Sequence, residues 1–125
     1  MKKILLVMYR KLLSETLNNE LSANSEFILR TEANYKSAPT AADVFLPDIV
    51  LLEIPETGEN VFDECLSLAN EIKAKRPSCR IMLLCPEGNA LTRKATIKAV
   101  QRGMVNDFVY YDTSLKYLAS KLEAL

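Results

Sequence analysis

The chain has 125 residues, 49% hydrophobic and 26% charged, with three Gly, five Pro and no Trp, which excludes a disordered tail or a fibre and fits one ordinary globular domain. A chain of this length buries roughly two thirds of its unfolded surface and needs no disulfide or metal staple, so residues 1–125 read as a single domain. Sixteen Lys plus Arg against sixteen Asp plus Glu leave a formal net charge of zero, which argues against direct nucleic-acid binding, where phosphates call for a basic excess.

Lys2 and Lys3 lead into the apolar run Ile4 to Met8, long enough for a buried strand. The run breaks at Tyr9, Arg10 and Lys11, too short for a signal peptide or a membrane span. Leu13, Leu17 and Leu21 then recur at every fourth position and predict a helix. Phe27-Ile28-Leu29 reads as a strand nearer a sheet edge, and a short helix is expected from Thr40 to Phe45, stopping before Pro47. Ile49 to Ile54 is a second long apolar strand. Val61, Phe62, Cys65, Leu66, Ala69 and Ile72 trace one helical face. Ile81 to Cys85 is the next strand, and Ala90 to Arg102 a helix that Gly103 would cap in a left-handed conformation. Phe108 to Tyr110 is the last strand, and Leu115, Leu118, Ala119 and Leu122 the last amphipathic helix.

Strand then helix, five times over, predicts an α/β fold: a doubly wound (βα)5, flavodoxin-like sheet with right-handed crossovers. The strands lack polar alternation, as expected where helices cover both faces of a parallel sheet. Ligand crevices in such sheets open at the carboxyl ends of the strands, which directs attention to Met8 and Tyr9, Glu53, Cys85 and Pro86, and Tyr110 and Tyr111. The chain has no His, the commonest general base and metal ligand, and Cys65, Cys79 and Cys85 form no C-x-x-C pair. Unpatterned cysteines beside apolar residues read as reduced thiols, hence a cytoplasmic setting.

The stretch Pro47-Asp48-Ile49-Val50-Leu51-Leu52-Glu53-Ile54 resembles the third strand of bacterial response-regulator receiver domains, in which Pro-Asp introduces a strand ending in the phosphoacceptor aspartate. Lys3 to Met8 looks like the first strand of that family, Ile81 to Gly88 like its fourth, and Ala99 through Gly103 to Asp107-Phe108-Val109 like the entry to its fifth. The resemblance covers nearly the whole chain. It implies that Glu53 holds the acceptor position and that Met8 and Tyr9 replace the acidic pair that binds Mg²⁺. A thioether and a neutral phenol do not supply the carboxylate oxygens a hard cation requires, so no cofactor is expected. Cys85 stands at the switch Thr/Ser, Phe108 at the rotating aromatic, and Tyr111, followed by Asp112, at the phosphate-pairing Lys. Pro55 lies two residues beyond Glu53 where the family has its Pro at four, so the loop Glu56-Thr57-Gly58-Glu59 departs from the pattern. Phosphate is therefore expected to meet no fixed positive charge.

Two readings of Glu53 follow: a mimic of a phosphorylated aspartate, or a solvated strand-end residue hydrogen-bonded to Tyr9 or Tyr111. Those two tyrosines are expected to fill the crevice with their hydroxyls toward water or Glu53. Arg10 and Lys11 oppose the dipole at a helix start and are expected to point into water. Charge is segregated along the chain, with six acids and no bases from Glu53 to Glu71, then eight bases and one acid from Ile72 to Arg102. Lys94, Lys98 and Arg102 form a stripe on the fourth helix, with Tyr110 as a rim anchor. The expectation is a non-enzymatic, phosphorylation-independent module with a protein partner (regulator, kinase or output domain), or a homodimer through the fourth helix, fifth strand and fifth helix, without membrane contact. The alternatives are an active receiver using Glu53 or Glu56, and a flavodoxin-like ligand-binding domain. The last is opposed by Met8-Tyr9-Arg10-Lys11, which lacks Gly and any hydroxyl cluster for phosphates.

Overall fold

The computed structural model describes residues 1–56, 58 and 60–125, so Thr57 and Glu59 of the loop singled out above lie outside the described residues. Strands β1 (Lys2–Val7), β2 (Phe27–Glu32), β3 (Ile49–Glu53), β4 (Arg80–Cys85) and β5 (Asp107–Tyr110) alternate with helices α1 (Lys11–Ser22), α2 (Ala38–Phe45), α3 (Val61–Lys75), α4 (Ala90–Gln101) and α5 (Leu115–Ala124). A 3-10 turn, Tyr35–Ser37, precedes α2. All strand pairs are parallel, in the order β2-β1-β3-β4-β5. This is the doubly wound α/β sheet expected from the sequence. No helix among the described residues is long and apolar enough to cross a membrane.

Side chains alternate across a strand, and the apolar runs feed two cores as a result. Leu5, Val7, Val50, Leu52, Ile81 and Leu83 point to one face, with Ala42 of α2, Ile72 of α3 and Ala99 of α4. Ile4, Leu6, Ile49, Leu51, Met82 and Leu84 point to the other, with Leu17 and Leu21 of α1 and Leu118 and Leu122 of α5. Every residue of β3 is buried. β2, at the sheet edge, buries Phe27 and exposes Ile28, Arg30 and Thr31.

Local chemistry sets the helix ends. The side chains of Asn89 and Ser114 accept from the backbone N–H groups of Thr92 and Tyr117, each at 3.1 Å, capping α4 and α5. Gly103 at φ +74° ends α4. The Met104 N–H reaches the Ala99 carbonyl and the Gly103 N–H the Val100 carbonyl, the paired bonds of a Schellman motif.

Register carries this frame to the crevice. Val7 pairs with Leu52, Glu53 with Leu84 and Cys85 with Tyr110. Residues 8–10, Glu53 and Tyr111 therefore emerge together at the carboxyl edge, where strand order reverses between β1 and β3.

Candidate functional site

Glu53, the last residue of β3, has no solvent-accessible surface. Burying a lone carboxylate is prohibitive, and its surroundings answer that cost on both oxygens. Oε1 accepts from the backbone N–H groups of Tyr9 at 3.1 Å and Arg10 at 3.3 Å, and Oε2 accepts from Arg10 Nε at 2.5 Å. Arg10 is the N-cap of α1, a helix with no side-chain cap and no acidic residue in its first turn. The anion that this helix end favours comes from β3 instead.

Arg10 thus does not point into water. A helix end carries about half a positive charge, whereas Glu53 presents a full negative one, and the guanidinium turns inward. Its central carbon lies 4.1 Å from the centroid of the Tyr111 ring, a cation–π contact. Burial, the largest single influence, opposes the charge on Arg10, but the bond to Glu53, the charge of Glu53 and the nearby Tyr111 and Tyr9 together outweigh it, raising the pKa above its ordinary value. The expectation that phosphate would meet no fixed cation is corrected in the same way: a cation is fixed there, and Glu53 holds it.

The tyrosines also differ from expectation. Tyr9 reaches Glu53 through its backbone N–H, while the residue as a whole is 42% exposed. The Tyr111 hydroxyl donates to the Ile54 carbonyl. Tyr35, which the sequence reading passed over, donates its hydroxyl to the Glu53 carbonyl at 2.6 Å. Two phenols therefore tie down the end of β3, one from the 3-10 turn and one from the end of β5. Burial first, then the charge of Glu53, pushes both hydroxyls well above the usual tyrosine range, so both stay protonated donors. Glu53 is neither solvated nor bonded to a tyrosine hydroxyl through its carboxylate.

The whole chain superposes on solved regulator structures. HP1043, an orphan response regulator of H. pylori, gives a TM-score of 0.77 at 18% identity over 98% of this chain and 94% of that one. The receiver domain of NtrX from Brucella abortus gives 0.77 at 23% identity over 97% and 95%. The N-terminal domain of the nisin resistance regulator NsrR, a lantibiotic response regulator, gives 0.78 at 22% identity over 99% and 97%. The chain has a receiver-domain fold. It spans 25% of the longer NtrX chain solved with ADP. No protein-family model matches the sequence, and a search of curated proteins finds no relative.

Within the receiver fold, Met8 is 1% exposed and belongs to the core shared with Leu17 of α1 and Leu118 of α5. No group of three or more Cys, Asp or Glu side chains that could hold a metal ion converges among the described residues. Phe108 is half-buried, its ring edge-on to Tyr110 at 5.4 Å. Tyr110 is itself half-buried against the α2, α3 and α4 core. Lys94, Lys98 and Arg102 are exposed along α4 and its C-cap, and no ion pair among the described residues engages them.

Cys85 lies fully buried, with Sγ 3.4 Å from Thr96 Oγ1. Burial pushes its thiol up to about 11, against the opposing pull of the Thr96 bond. Cys65 and Cys79 are also buried and raised, to about 12 and about 11. Only the thiolate reacts. At pH 8 a disulfide reagent should therefore leave the native protein unlabelled and titrate all three thiols once denaturant is added. One thiol reacting at native rates would contradict this burial.

Proposed function

We propose that the chain is a non-enzymatic signalling module of receiver type whose state is independent of phosphorylation and which acts through contact with a protein partner. The observation that carries this reading is the engagement of both Glu53 oxygens inside the protein. A nucleophilic carboxylate needs a free oxygen aligned with the incoming phosphorus. Here Arg10 and two backbone N–H groups occupy that approach.

The donor set also does not fit Mg²⁺. A hard divalent cation takes carboxylate and carbonyl oxygens at close range, and the carboxylate buried in the crevice, Glu53, is already paired with a guanidinium. The same cation, stacked on Tyr111, repels a second positive ion. The structural neighbours named as response regulators support a signalling role, and their kinases or output domains are the partner classes this chain would share.

The test is an amide NMR titration with Mg²⁺ followed by beryllofluoride, an acyl-phosphate mimic, with an acetyl phosphate incubation read by intact mass. The expected result is no saturable shift at Tyr9, Arg10, Glu53 or Tyr111 and no mass gain. A saturable shift that spreads to α4, or a gain of one phosphoryl group on Glu53 or Glu56, would establish the active-receiver alternative instead.

A further inference from the structure

The charge asymmetry seen in the sequence becomes two separate surfaces in the fold. Between the 3-10 turn and α3 lies a groove of about 740 Å³, floored by Tyr35, Pro55, Val61, Cys65 and Leu68. Asp63, Glu64 and Glu71, all exposed, stand along its rim against the single cation Lys36. No ion pair among the described residues uses any of the three carboxylates. The second surface is the outer side of α4, where Leu91, 80% exposed, lies three residues before Lys94 and seven before Lys98. That spacing puts all three on one helical face, and α4 contains no acidic residue. One surface is thus an apolar hollow with an acidic rim, and the other an apolar tip with basic flanks.

The geometry points to a second copy of this chain as the occupant of the groove: α4 of one molecule, led by Leu91, seats between the 3-10 turn and α3 of the next, with Lys94 and Lys98 against Glu64 and Glu71. This rests on the reading of the chain as an interaction module and names its partner surface. Charge complementarity carries the choice, since a molecule of zero net charge that separates its signs onto two faces attracts its own copies in a defined orientation. The two surfaces are different patches, so the contact is heterologous and propagates head to tail rather than closing as a two-fold pair. A single helix in a groove buries less than about 1,200 Å², the weak and transient end of specific interfaces.

Sedimentation velocity on the full chain from about 10 µM to about 1 mM covers the weak range of such contacts. Wild type should grow in mean mass with concentration. The association should weaken about tenfold as salt rises from about 50 mM to about 500 mM, because exposed charges are screened. The groove variant E64K/E71K and the stripe variant K94E/K98E should each remain monomeric. Their 1:1 mixture should associate again and propagate as alternating copies, since the intact stripe of one meets the intact groove of the other and the reversed stripe meets the reversed groove with complementary charge. All four positions are exposed, so folding should survive, and circular dichroism checks it. A wild type monomeric throughout, or a groove variant that associates like wild type, overturns this contact. Neither outcome touches the phosphorylation-independent reading, which falls only to a response in the beryllofluoride or mass experiment.

Discussion

Arg10→Met is expected to lower the unfolding free energy by about 2 to 4 kcal/mol, somewhat below the range of about 3 to 5 for removing one member of a fully buried ion pair, because Arg10 is still 37% exposed while Glu53 has no exposure. The cost arises at Glu53. Without the guanidinium its Oε2 has no donor, and the carboxylate must take up a proton or admit water. The decisive comparison is a double-mutant cycle by urea denaturation. Glu53→Leu alone strands Arg10 Nε and the N–H groups of Tyr9 and Arg10. The double variant removes both charges and should be less destabilised than the sum of the singles by about 1 to 3 kcal/mol. Strict additivity would mean that the pair does not couple and would undercut the site as described.

Tyr111 should give the second large effect. Its ring packs on the α1 and α5 core and supports Arg10, and its hydroxyl holds the Ile54 carbonyl. Tyr111→Ala is expected to cost about 2 to 3 kcal/mol, below the full cost of an aromatic truncation because the ring is half-buried. Tyr111→Phe should lose about 1 kcal/mol, the net value of one hydrogen bond. Tyr111→Lys restores the residue type that the receiver pattern has there. It should be about as costly as Ala, because it sets a second cation beside Arg10, and it should not restore beryllofluoride binding. A Tyr111→Lys protein at wild-type stability, measured by the same urea transitions, would show that Arg10 does not own the crevice.

The fold was legible because its signals are long and redundant. Ile4 to Met8, Ile49 to Ile54 and Ile81 to Cys85 are apolar on both faces and have no other stable use than a covered parallel sheet. The Gly103 terminator and the leucine spacings of α1 and α5 agreed with them. The site was read only in part. Glu53 was located by register along β3, which sequence distance reports well. The inward turn of Arg10 was not, because a rule about helix dipoles was applied without the full charge lying across the crevice on another strand. Tyr35 was missed for a related reason. It sits in the polar stretch Asn34-Tyr35-Lys36-Ser37, and nothing local says that its hydroxyl crosses to the end of β3. An aromatic placed just after an edge strand, opposite a strand that ends in a buried acid, is the signal that would have found it.

Both halves of the Arg10–Glu53 pair belong to one chain, 43 residues apart, and neither depends on a diffusing solute. A domain that borrows its cation and its anion from solution gains stability in proportion to the logarithm of their concentrations. Under the phosphorylation-independent reading proposed above, this one has no such dependence. On the same reading its conformation should not follow the supply of phosphoryl donor or Mg²⁺, and no half-life of a labile bond would limit its state. On that reading the quantities left for a cell to adjust are the amounts of this chain and of the partner it meets.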